Sequence, residues 1–375
     1  MPELWLRYGR SHVVIDIKYE NLQAHLYPTA AVSDSNHQRL KDELHNIDIH
    51  DDTIVFVLSS SEASLNLIEL IAERAILKKH SHIAFGSAND TLYFLRNSLR
   101  RQGLPIYSVT DASFFPLLSK FKNVIFISQV KYDPLFGYSG TPSLLLRKFF
   151  PKEMSEAFYN GLNTLPNPYK KLSSLEVALH SVERLKAFSI EIVGSPNVLS
   201  LHYGAISQAF ESAMGSLDSA NKKAGVDKCQ TVLISPSDDL EPHLTLSSSL
   251  NCLWNVMDLV KKGGLAVLLS ENNMGLGGKA LEMLVEDRLD VQKHLGERLP
   301  YLEGLEHIVC LKELTKDHEL GIISTLPEYY LRRLGLVPFK GTKDYYQQAL
   351  SRFGRSQKIL IVSGADILSV AVLPN

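Results

Sequence analysis

Asn123-Val124-Ile125-Phe126-Ile127-Ser128-Gln129-Val130, followed closely by Phe136-Gly137-Tyr138-Ser139-Gly140-Thr141-Pro142, reads as a buried strand running out into a glycine-bearing turn. The arrangement recurs late in the chain, where Leu265–Ser270 leads into Asn273-Met274-Gly275-Leu276-Gly277-Gly278-Lys279. Glycines at a strand's exit let the backbone turn sharply and approach a ligand closely. Helices are expected at Ser143–Phe150 and Lys279–Glu286, and their free N–H groups would face whatever sits in each turn. Two such turns predict two α/β units facing one cleft, with a small anionic ligand as the natural occupant.

Outward from these turns, short β-branched runs recur at Thr53–Leu58, His82–Phe85, Thr231–Ile234, His307–Leu311 and Lys358–Val362. Amphipathic stretches such as Ser64–Leu77, Thr91–Arg101 and Leu246–Lys262 separate them and suit crossover helices. The alternation predicts an α/β fold: two α/β domains with mainly parallel sheets around an interdomain cleft, with ligands at the strands' carboxyl ends. Leu4–Gly9 and Val13–Ile17 read as an antiparallel pair leading into the first unit. The polar stretch Ser216–Asp227 is the best boundary, giving a first domain over 1–222 and a second over 223–355. A terminal strand segment, 356–375, is left without a domain.

A chain of 375 residues, 45% hydrophobic and 21% charged, can build substantial cores. A formal charge of -2 argues against broad nucleic-acid affinity. No apolar run is long enough for a membrane span and the N-terminus lacks a signal-peptide layout, so a cytoplasmic location is expected. Cys229, Cys252 and Cys310 are too scattered for a disulfide framework or a cysteine zinc site. The pairs His45/His50 and His80/His82 read as solvated loop histidines, and no metal site is expected.

Candidate site residues cluster at the strand exits. Ser59, Ser61 and neighbouring Glu62 open one helix, and Gly86 and Ser87 repeat the arrangement after the next strand; such hydroxyls either cap the helix or hold an anion. Around the first glycine turn, Gly137, Ser139, Gly140 and Ser143 are ligand-binding candidates, with Asp133 as a general base or a turn residue and Tyr159 returning to the same cleft. Glu271, Gly275 and Gly277 form the facing set. Gly275-Leu276-Gly277-Gly278 is not GxGxxG and carries little dinucleotide signal. Asp238, Asp239 and Glu241 with His243 suit a solvated acidic loop better than an oxygen-ligand metal site.

The order of these features resembles the nickel-dependent lactate racemase family. It rests on Leu-Arg-Tyr-Gly (6–9), Gly-Tyr-Ser-Gly (137–140), Lys-Gly-Gly (262–264), Glu271 with Gly-Leu-Gly (275–277), and Ser-Thr-Leu-Pro-Glu-Tyr-Tyr (324–330). The resemblance implies two α/β domains closing on a cleft, a nickel-pincer nucleotide tethered to a lysine, and hydride removal from a 2-hydroxy acid. Position by position, the reactive groups differ. Ser143 stands at the tethering lysine, Asp133 at a histidine and Tyr159, beside Asn160, at the nickel-ligand histidine. Glu62 stands at an arginine, Ala88 at a histidine, and Ser248 and Asn251 near a glutamine and a lysine. Serine cannot form the lysine linkage, and tyrosine is a poor nickel ligand beside imidazole. The expectation is a divergent member that binds a small ligand without pincer catalysis. Alternatives are a 2-hydroxy acid racemase or epimerase with altered cofactor attachment, and an assembly partner burying Tyr329, Tyr330, Tyr345 and Tyr346.

Overall fold

A computed structural model describes residues 3–28, 36–45, 47, 49–78, 82–165 and 172–372. His80 lies outside them. Two sheets organise the described residues. The first runs Ser200–Ala205, Phe188–Val193, Asn123–Asp133, Thr53–Val57, Ile83–Ser87, Ile106–Ser108; all neighbours are parallel except the first pair. The second runs Val337–Pro338, Glu319–Ile323, Val260–Leu269, Cys229–Ser235, Ile359–Ser363, Leu22–Leu26, parallel throughout. Their central strands are buried on both faces, which is why they read as continuous apolar runs rather than alternating ones.

Each sheet carries helices on its faces. Helices Glu62–Leu77 and Asn89–Ser98 pack Leu67, Ile71 and Leu95 on the Val55, Val57, Ile125 and Ile127 side of the first sheet. The opposite face, with Phe56 and Phe126, merges with Val232, Ile234 and Leu268 of the second sheet into one core. The second sheet's outer face is covered by Leu6, Ile15, Ile17 and Tyr345. Among the described residues no helix is long and apolar enough to cross a membrane.

The structure departs from the sequence reading in four places. The expected antiparallel pair forms as the hairpin Glu3–Tyr8/Ser11–Asp16, but it packs on the second sheet, and strand Leu22–Leu26 joins that sheet beside Ile359–Ser363. Strand Leu22–Leu26 therefore sits apart from the other strands of the 1–222 unit, and of the segment left unassigned Ile359–Ser363 joins the second sheet while Ser369–Val372 pairs with Lys222–Val226. His307–Leu311 lies inside helix Leu305–Leu314, where Leu305, Ile308 and Leu311 form one buried stripe at helical spacing. Leu246–Lys262 is α-helical only to Trp254, with a 3-10 turn at Met257–Leu259, and the strand Val260–Leu269 already includes Gly263 and Gly264. The polar stretch Ser216–Asp227 is the end of helix Ile206–Asn221 and a strand, Lys222–Val226, paired with Ser369–Val372.

Candidate functional site

Both sheets reverse their order of assembly at their centres. In the first, the chain builds Thr53–Val57 and then Ile83–Ser87 and Ile106–Ser108 to one side, before Asn123–Asp133 returns to the other. In the second, it builds Cys229–Ser235, Val260–Leu269 and Glu319–Ile323 before Ile359–Ser363 returns. At such a reversal the loops leaving adjacent strands diverge and open a crevice. A cleft of about 680 Å³ lies there, bordered by Ser59 and Ser60 after the first strand, Gln129–Asp133 on its neighbour, and Glu241 and Asp366 from the exits of the second sheet. Ser139 and Gly277 border the same cleft, so the two glycine turns do share one opening.

The floor is cross-linked by charge. Lys131 Nζ donates to Glu241 Oε2 at 2.7 Å and lies 4.0 Å from Asp366. Ser60 donates to Glu241 Oε1 from its N–H (3.0 Å) and its hydroxyl (3.1 Å). Burial works against the Lys131 ammonium, but Glu241, Asp239 and Asp366 outweigh it and raise its pKa. Burial likewise pushes the Glu241 carboxyl up, and Lys131 with the Ser60 hydrogen bonds brings it below its usual value. Asp366 accepts from the N–H (2.7 Å) and hydroxyl (2.9 Å) of Ser237, which fixes the carboxylate facing Lys131.

A second cross-link uses Arg147. Its guanidinium donates to Asp133 Oδ2 at 3.0 Å on its own lobe and to Glu306 Oε1 at 2.6 Å on the other, and reaches the Tyr301 hydroxyl at 3.0 Å. Tyr301 donates in turn to Glu306 Oε2 at 2.8 Å. Burial raises the Glu306 pKa, and Arg147 more than reverses it. Lys148 is ion-paired with Asp90. His307 is held neutral by burial; its Nδ1 accepts from Trp254 Nε1 at 3.3 Å, which leaves the proton on Nε2.

Two of the helix starts expected to hold an anionic ligand already face protein carboxylates, and a third is met by a backbone carbonyl. At Glu62–Leu77 the N–H of Glu62 points at Asp239 from the other lobe (3.3 Å), and Asp239 also accepts from the Ser195 hydroxyl. Burial is the main reason its pKa is raised. At Thr141–Phe149 the N–H of Thr141 points at Glu191 Oε2 (3.4 Å), which accepts from the Ser128 hydroxyl at 2.5 Å. At Lys279–Val285 the N–H of Ala280 is taken by the Glu303 carbonyl at 2.9 Å. An anion at a helix N-terminus is stabilising wherever it comes from, and here the fold provides its own.

Several sequence candidates therefore have local duties away from the cleft. Ser61 caps its helix by accepting from the Ser64 N–H, and the Ser87 hydroxyl donates to the Val57 carbonyl in the sheet. Gly86 gives room to the Phe56 and Val109 side chains, and Gly140 to Phe210. Ser143 is fully buried, its hydroxyl exchanging hydrogen bonds with the Gly140 backbone at 3.1 Å. Gly137 and Gly275 hold positive-φ turns. Tyr159 donates to the Leu299 carbonyl at 2.7 Å outside the cleft, and Glu271 accepts from Asn273 at 3.2 Å and crowds Gly9. Of the sequence candidates, Ser59, Asp133, Ser139 and Gly277 border the cleft. Even there, Asp133 Oδ1 is occupied by the N–H groups of Leu135 and Phe136, both at 2.9 Å. Sequence reading missed Lys131 and Glu306, whose partners lie far away in the chain, and Gln129, a buried amide within an otherwise apolar strand run.

Metal and cofactor donors are similarly committed. Among the described residues no group of three His, Cys, Asp or Glu is placed to hold a metal ion. The His243 ring turns to the Ser237 carbonyl, which its Nε2 meets at 3.0 Å, and burial lowers its pKa to about 4. The residues do not fit a tethered nickel-pincer nucleotide. Where the resemblance implies an anchoring lysine there is a buried helix-capping serine, and where it implies a nickel-ligand histidine there is a tyrosine bonded elsewhere.

Solved structures share the fold. The lactate racemase apoprotein from Thermoanaerobacterium thermosaccharolyticum superposes with a TM-score of 0.75 at 14% identity over 100% of both chains. A structural-genomics protein from Thermotoga maritima superposes with a TM-score of 0.66 at 10% identity, over 91% of this chain and 98% of that one. No family model and no curated protein matches the sequence. The chain has a lactate racemase-like fold, and at these identities the likeness extends to the fold alone.

Proposed function

We propose that this lactate racemase-like chain binds a small polar molecule in the cleft between its two sheets and does not carry out nickel-pincer chemistry. The observation that carries the reading is Ser143: where the resemblance implies a tethering lysine, the chain has a buried hydroxyl engaged in capping. The cleft itself, at the reversal points of both sheets, is the position at which α/β folds take ligands. The anionic ligand expected from the glycine turns gives way in this reading to a polar one, since the helix starts face Asp239 and Glu191. Thermal unfolding of the purified chain against fractionated metabolite pools tests ligand binding: a specific, concentration-dependent rise in Tm supports it, and a flat response across all pools counts against it.

A racemase or epimerase with altered cofactor attachment is the second reading, favoured by Lys148 and His307 both bordering the cleft. Intact-mass and nickel analysis of chain purified from its native cell separates the two readings. A nucleotide-sized mass increase with stoichiometric nickel would overturn the first.

A further inference from the structure

The cleft offers hydrogen-bond acceptors in excess. Seven carboxylates border it against three cations, Lys131, Arg147 and Lys148, and each cation is already ion-paired. Asp111 and Glu303, exposed at the rim, make no ion pair among the described residues. A carboxylate is acceptor-only, so these groups favour an incoming donor and repel an incoming anion. One buried group independently points to a ligand. Gln129 is 2% exposed, borders the cleft, and leaves both its amide nitrogen and its amide oxygen without a partner. Asn251 on the facing wall leaves its Oδ1 unpartnered. A buried amide with neither bond made is costly, and a ligand presenting a donor and an acceptor removes that cost.

We infer that the cleft takes a donor-rich, polyhydroxylated small molecule, uncharged or bearing an amine, held at its floor by the Gln129 amide, and that it discriminates against carboxylates and phosphates. This rests on the small-molecule reading above. Hydroxyls supply donors to Asp111, Glu303 and Asn251 and both donor and acceptor to Gln129; an ammonium adds charge complementarity.

The test is thermal unfolding of the full chain at constant ionic strength with six probes at millimolar concentration, well below the range in which polyols act as excluded osmolytes. Glucosamine, glucose and sorbitol form one arm; gluconate, lactate and inorganic phosphate form the other. The expected result is a saturable rise in Tm with at least one of the first three, and binding at least tenfold weaker for gluconate, which shares the glucose skeleton but is anionic. Gln129→Leu should abolish the response and Asn251→Ala weaken it severalfold, the second carrying the test if the first fails to fold. Equal or stronger stabilisation by gluconate, lactate or phosphate overturns the inference while leaving small-molecule binding intact. Undiminished binding by Gln129→Leu also overturns it. Silence from all six probes overturns it too, and the metabolite-pool experiment then judges the broader reading separately.

Discussion

Lys131 is a single ammonium answering carboxylates at Glu241 and Asp366, with a side chain only 15% exposed. Lys131→Met leaves those charges facing one another, and breaking a buried pair from one side costs about 3 kcal/mol or more. The check is a lowered urea midpoint with an unchanged m-value. His243 adds a pH dependence. Burial lowers its pKa from the ordinary histidine value of 6.5 to about 4 on folding, so the unfolded chain binds the proton more readily. Its contribution is whole above pH 6.5 and is lost as pH falls toward 4, by about 3 kcal/mol. Urea midpoints followed across that window should decline, and in His243→Gln the decline should flatten. Glu241 and Glu306, held below the usual carboxylate range, give up their contributions only at lower pH. None of these roles was legible in the sequence. A lysine at a strand's end has no local mark of significance when its partner is 110 residues away.

At the level of elements, the turn at Gly277 is set by backbone geometry. Its φ is +72°, and a Cβ there would overlap the Thr245 side chain. Gly277→Ala should therefore destabilise by roughly 2 kcal/mol, measurable as a fall in Tm. The N-cap at Ser61 is a milder case: Ser61→Ala frees the Ser64 N–H at the start of Glu62–Leu77 and should cost about 1 kcal/mol. Strands buried on both faces, such as Thr53–Val57 and Ile359–Ser363, were legible because nothing but apolar, β-branched residues fits there. His307–Leu311 has the same look but spans only five residues, too few for periodicity to separate a strand from a helix. The helix is settled by the stripe it packs into the core. Both glycine-bearing segments leave their strands where the spacing puts them, though Gly137–Ser139 folds back as a short strand on Lys131–Asp133, and the groups meeting the helix starts, the Glu191 carboxylate and the Glu303 carbonyl, come from other parts of the chain.

For the whole molecule, the two cross-links bear on motion. Arg147 joins Asp133 to Glu306, and Lys131 with Ser60 grips Glu241, so both ties run between the lobes at the floor of the cleft. The lobes are held together before any ligand arrives, and domain closure should be small. Small-angle scattering should give the same radius of gyration with and without a stabilising ligand, while Arg147→Met combined with Lys131→Met should enlarge it. The two-lobed α/β architecture was legible from alternating strands and helices, but the lobes' membership was not. Pairing between Leu22–Leu26 and Ile359–Ser363 depends on a closure across most of the chain, to which local pattern is blind. That pairing has a temporal side. At ordinary translation speeds the ribosome needs on the order of half a minute to travel from one partner to the other. The first sheet's strands, Thr53–Val57 through Ser200–Ala205, are all synthesised within that interval, while Leu22–Leu26 has no partner in its own sheet to receive it. Its N–H and C=O edge stays open to stray pairing until Ile359–Ser363 emerges, so a newborn chain is vulnerable at a strand made long before its neighbour.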